Sequence, residues 1–196
     1  MIQKVLYSVL LLIFLTGCGE GFNVKSIERD VKTSVDEITE IEKTTLTDLE
    51  SLELEISELE AIDFGDYSDP GLSLSKIKAL KSSLGSKLDE IVKKIEAFKL
   101  KIAELKDRIN AFISTLDPND PNQQKIIERL NKLLVKLDQV EQKIDMLIDI
   151  IKTKLDFIDQ IFDELIARLD PTNPSHFLIR LVIEAIRDMI KAKLGI

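Results

Sequence analysis

The chain has no tryptophan, one cysteine, seven glycines and five prolines in 196 residues, and aromatic residues make up 5%. Each scarcity excludes something. A single cysteine, Cys18, cannot close an intrachain disulfide or build a thiolate metal cluster. A single histidine, His176, leaves no paired metal ligands and no Cys/His nucleophile. No Gly-rich phosphate loop and no nucleophile elbow is present, so an enzyme, a cofactor and a bound metal are not expected. Basic charge is also in deficit. The net charge is −8, with no basic patch interleaved with aromatics, which argues against nucleic acid as a partner. Apolar residues nevertheless reach 44%, too many for a disordered chain. Leu, Ile, Glu, Lys and Asp dominate, the composition of long helices and coiled coils.

The N-terminus has its own pattern. Lys4 precedes an apolar run over residues 5–15 that only Ser8 interrupts. As a helix that run would rise about 16 Å, half a bilayer core, which suits a signal peptide and not a membrane span. It ends in Leu15-Thr16-Gly17-Cys18. This ending resembles the lipobox of bacterial lipoprotein signals. The resemblance implies cleavage between Gly17 and Cys18, a thioether-linked diacylglycerol on Cys18 and a third acyl chain on the new amino group. Residues 1–17 would then be removed, and residues 18–26 would be a lipidated tether. Two or three buried chains at about 0.8 kcal/mol per CH₂ anchor a protein durably. The other reading is an ordinary secretory signal that happens to contain a cysteine.

Beyond residue 26 the apolar residues recur at helical spacing. Residues 27–62 carry Ile27, Val31, Val35, Ile38, Ile41, Leu46, Leu49, Leu52, Ile56, Leu59 and Ile62. Residues 73–116 step by three and four from Ile77 to Leu116, and residues 122–169 do the same from Leu130 to Leu169. One buried stripe per helix follows. A fourth segment, residues 175–194, is shorter and more apolar.

The breaks are as legible. Residues 63–71 hold Asp, Gly, Ser and Pro and read as a loop. Leu116-Asp117-Pro118-Asn119-Asp120-Pro121 returns 53 positions later as Leu169-Asp170-Pro171-Thr172-Asn173-Pro174. In each, the first Pro stops one helix, and Asp120 or Asn173 caps the next with Pro at its first position. A repeated solution to one problem explains this better than a duplicated hairpin. The expected fold is all-α: an elongated antiparallel bundle of three long helices and one short C-terminal helix, a single domain over residues 27–196.

Charge sorts by segment. Residues 27–63 contain 13 acidic and 3 basic side chains, residues 73–116 contain 5 and 10. Antiparallel neighbours would pair these two helices, leaving surplus negative charge facing solvent or a basic partner.

Short connections place residues 63–72 and 170–176 at the end of the bundle far from the tether. Asp63, Asp66 and Asp69 lack the ligand alternation of a calcium loop and read as turn and cap residues. Phe64 and Tyr67 beside them either anchor a partner protein, with Asp63, Asp66 and Asp69 as a charged surround that favours a basic partner, or plug the end of the core. His176, in the first turn of the last helix, reads as a polar residue near a cap. The last helix reads as a cover for the groove between the three longer ones, with a membrane contact as the alternative.

A lipobox ahead of a small acidic, Lys-rich helical bundle resembles the helical outer-surface lipoproteins of spirochaetes such as Borrelia. That resemblance implies a lipid-anchored protein of the cell outer membrane, surface-exposed, binding a host or environmental protein in adhesion or immune evasion. Members of that class bind complement regulators, matrix or plasma proteins, or have no known ligand, and no binding motif carries over. The alternative is a structural or spacer lipoprotein facing the periplasm; a lytic lipoprotein acting through the last helix is a third reading.

Overall fold

The computed structural model describes residues 23–60 and 70–194. They form four helices and, among the described residues, no strand: α1 (Val24–Glu60), α2 (Pro70–Ile113), α3 (Pro121–Ala167) and α4 (Pro174–Leu194). At 1.5 Å per residue, their 37, 44, 47 and 21 residues extend about 56, 66, 71 and 32 Å. This is the expected all-α bundle of three long helices and one short one.

Caps set the boundaries. α1 begins at Val24, earlier than the apolar pattern suggests, because the Lys25 N–H donates to Asn23 Oδ1 at 3.0 Å and the Ser26 N–H to the Asn23 carbonyl at 2.8 Å. α3 begins where its cap predicts. Asp120 is extended, its carboxylate accepts the Asn122 N–H, and Pro121 opens the helix.

The seams of α2 and α3 run as the spacing predicts: every stripe residue from Ile77 to Ile109 and from Leu130 to Leu169 is buried. α1 differs in detail. Ser34 and Thr45 are buried where Val35 and Leu46 stand next to the seam and stay half-covered. A helix keeps its face by position, so the step of three or four overrides polarity at single sites. Ser34 meets the burial by donating its hydroxyl to the Asp30 carbonyl at 3.0 Å.

Ion pairs record the helix directions. Arg129 meets Glu28 at 2.6 Å and Lys154 meets Glu53 at 2.7 Å, both 101 positions apart, so α1 and α3 run parallel. Lys87 meets Glu55 at 2.8 Å, Arg108 meets Asp30 at 3.4 Å, and Lys101 pairs with Glu37, so α2 runs against α1. In all five pairs α1 supplies the carboxylate. The charge sorting read from the sequence is therefore used in packing.

The expectation that the last helix covers a groove among all three long helices needs correction. α4 lies on α2 and α3 and makes no contact with α1, which occupies the other side of that pair. α4 runs parallel to α2, with Lys193 on Asp89 and Met189 over Gly85. A Cβ at Gly85 would meet the Met189 sulfur at 3.1 Å, so the glycine lets α4 approach closely. α4 buries Ile179, Ile183, Ile186 and Ile190 and ends about half-way down α2.

The seam gives a direct test. Ile102 is fully buried in α2 while Leu100, two residues earlier, is mostly exposed. Ile102→Ala should destabilise by about 2–5 kcal/mol and Leu100→Ala by less than about 0.5 kcal/mol. Urea titration followed by far-UV circular dichroism reads both.

Candidate functional site

The residues singled out for chemistry fall in two groups. Gly17 and Cys18, and the loop residues Asp63, Phe64, Asp66, Tyr67 and Asp69, lie outside the described residues. The frame of that loop is described. α1 ends and α2 begins at the end of the bundle where α3 turns into α4, opposite the α1 N-terminus. His176 sits at that same end.

The two Pro-containing turns are wired alike. The Asp117 N–H donates to Gln123 Oε1 at 2.8 Å, and the Asp170 N–H donates to His176 Nδ1 at 2.9 Å. Each Asp carboxylate accepts a backbone N–H two residues on, from Asn119 at 2.9 Å and Thr172 at 2.8 Å. Each cap accepts the N–H of the second helical residue, Asn122 at 2.8 Å and Ser175 at 2.9 Å. These bonds stabilise the ionised acids: the Thr172 hydroxyl and N–H hold Asp170 below its ordinary pKa, and the Asn122 N–H does so for Asp120. His176 is therefore buried with Nδ1 closing a turn, the cap-proximal place its position suggested.

The helix that starts there is only partly covered. Phe177, Leu178 and Leu181 are exposed, adjacent on one face of the first two turns of α4. Apolar spacing in α4 was visible in the sequence, but which side faces the bundle was not. A second feature, a groove of about 550 Å³, runs between α1 and α3. Val31, Leu133 and Val140 line it with three lysines, Lys32, Lys136 and Lys143, and one carboxylate, Glu28, which pairs with Arg129. Nothing in the local sequence marks these lysines, because they come from two helices far apart in the chain. The groove thus combines apolar contact with a net positive edge.

Two charged clusters lock the helices around these surfaces. Arg187 of α4 contacts Asp159 and Asp163 of α3, each at 2.8 Å through Nη2. The guanidinium beside Asp159 holds its carboxyl below the usual range, and those carboxylates push Arg187 further up. Burial works against the charge of Lys106, yet bonds to Asp138 and Glu141, both at 2.6 Å, outweigh it and raise its pKa.

Among the described residues no group of three His, Cys, Asp or Glu can hold a metal ion, and no helix is long and apolar enough to cross a membrane. Compared with known proteins, the chain matches no family model, no curated sequence and no solved structure.

Two predictions follow from this wiring. His176→Gln should preserve stability, as Gln123 fills the equivalent position, whereas His176→Leu leaves the Asp170 N–H unpaired and should cost about 1–3 kcal/mol by denaturant titration. The lowered pKa of Asp159 means its stabilisation is present above the unfolded value of about 3.9 and is lost as pH falls through the folded value. The stability difference between the parent chain and Asp159→Asn should thus be constant above about pH 5 and shrink below about pH 4.

Proposed function

We propose that this chain is a lipid-anchored lipoprotein of a bacterial cell outer membrane, exposed at the surface, whose membrane-distal end binds a host or environmental protein. The observation that carries the binding part is the exposed apolar trio Phe177, Leu178 and Leu181 at the end opposite the α1 N-terminus. On a chain that is 32% charged, three adjacent large apolar side chains left in water point to a protein partner. α1 ends and α2 begins at the same end, and the sequence between them holds Phe64 and Tyr67 with Asp63, Asp66 and Asp69. The lipobox supports the anchor: with Cys18 acylated, α1 would start a few residues from the bilayer and lift the opposite end about 60–70 Å away. A periplasm-facing spacer is the second reading, favoured by the rod-like length of the bundle alone.

Protease added to intact cells separates the two. Surface display predicts loss of the mature protein, and a periplasmic location predicts its survival until the outer membrane is opened. Cys18→Ala should yield an uncleaved or soluble form without incorporated fatty acid; a processed mutant that still partitions fully into detergent would refute the anchor. Once a ligand is identified, Leu178→Glu and the pair Phe64→Ala with Tyr67→Ala should each weaken binding at least tenfold without loss of helix content.

A further inference from the structure

α3 carries a second stripe, on the face turned away from the core. Val135, Gln139, Gln142, Met146, Ile150, Thr153, Phe157 and Gln160 follow one another by steps of three and four, as a coiled-coil seam does. All are exposed; Val135, Met146, Ile150 and Phe157 keep 55, 58, 37 and 51% of their surface in water. No member is charged, and Glu128 and Glu164 close the stripe at its two ends.

The flanks are sorted by sign. Taking about 100° per residue around the helix axis, Asp138, Asp145, Asp149 and Asp156 lie on one side of the stripe. Lys132, Lys136, Lys143 and Lys154 lie on the other. An uncharged seam between one acidic and one basic row is complementary to itself. Two copies facing each other in parallel bring each acidic row onto the other copy's lysine row. An antiparallel pair would set acid against acid and lysine against lysine.

We propose that this face of α3 binds a second copy of the chain, in parallel and in register. Pairing at the usual five-residue offset matches Asp138 with Lys143 and Asp149 with Lys154 of the other copy, each twice by the two-fold symmetry. Lys136 and Lys143 also rim the groove between α1 and α3, so the incoming acidic row lies along that groove and uses its positive edge. Asp138 also contacts Lys106 and Lys154 also contacts Glu53, yet their side chains keep 57 and 39% exposure for a further partner.

Size sets the strength. A stripe of 25 steps is about 37 Å long and a helix about 10 Å wide, giving roughly 400 Å² per copy. That is half of the approximately 800 Å² per partner of a standard interface, so the dimer is weak in free solution. Gln139, Gln142, Thr153 and Gln160 in the seam further trade affinity for register. Two chains anchored to one membrane by the same end would already be parallel, which raises their effective concentration.

Cysteine cross-linking tests this on the full chain in detergent micelles at high protein concentration. A seam residue in a parallel pair faces its own copy, so Gln142→Cys should form a disulfide-linked dimer under mild oxidation. The parent chain with Cys18 alone, and Ala97→Cys on the exposed face of α2, should give at least tenfold less. Adding Met146→Glu and Phe157→Lys to Gln142→Cys should abolish the cross-link while leaving circular dichroism unchanged. Gln142→Cys dimer no greater than the Ala97→Cys control overturns the proposal. So does efficient linkage between Gln142→Cys and Thr153→Cys chains with little in Gln142→Cys alone, since that pattern belongs to an antiparallel pair. Cross-linking of Gln142→Cys on cells to a different protein, with no self-linked dimer, overturns it as well.

Discussion

Everything in this molecule depends on one constraint: an apolar stripe must stay continuous along helices of 37 to 47 residues. A step of three or four keeps successive stripe residues within one face, and α2 and α3 hold that step from Ile77 to Ile109 and from Leu130 to Leu165 without interruption. No single contact decides the fold. Because the stripe is as long as the helix, it can be buried only against others of similar length, and an elongated bundle is the geometry that does so. α1 shows how firm this is. The step carries Ser34 and Thr45 into the core, and Ser34 then takes its hydrogen bond from its own helix instead of shifting the seam.

Burial alone leaves the partners of each helix open, since one apolar stripe resembles another. Charge makes the choice. α1 supplies carboxylates to five pairs with lysines and arginines of α2 and α3. Individually such half-exposed pairs are worth little, but together they disfavour any arrangement that sets like charge against like. The same sorting recurs on the outer face of α3, which none of the other described helices covers.

Local signals survive in a sequence because they act over a few residues. Asp117 to Pro121 and Asp170 to Pro174 predict a stop, a cap and a restart, and both turns are built from the same bonds. The resemblance of Leu15 to Cys18 to a lipobox is local in the same sense, carried by four residues, as are the turn-forming residue types and two aromatics of residues 63–69. The groove lysines carry no such signal. Lys32 and Lys136 stand 104 positions apart, and nothing near either marks its neighbour.

The sequence by itself determined the helices, their lengths to within a few residues, the two Pro-containing turns and the buried sides of α2 and α3, because periodicity and capping are properties of neighbours in the chain. Only the tertiary structure decided where α4 goes. Its apolar residues cover much of its circumference, so several faces could have been buried. Gly85 admits Met189, Arg187 reaches Asp159 and Asp163, and Lys193 reaches Asp89. Those contacts join residues 24 to 104 positions apart, and they settle the face of α4 that is buried and the apolar trio that is left in water. Tertiary packing chooses among the apolar residues of such a helix, because the choice rests on shape and charge brought together from distant parts of the chain.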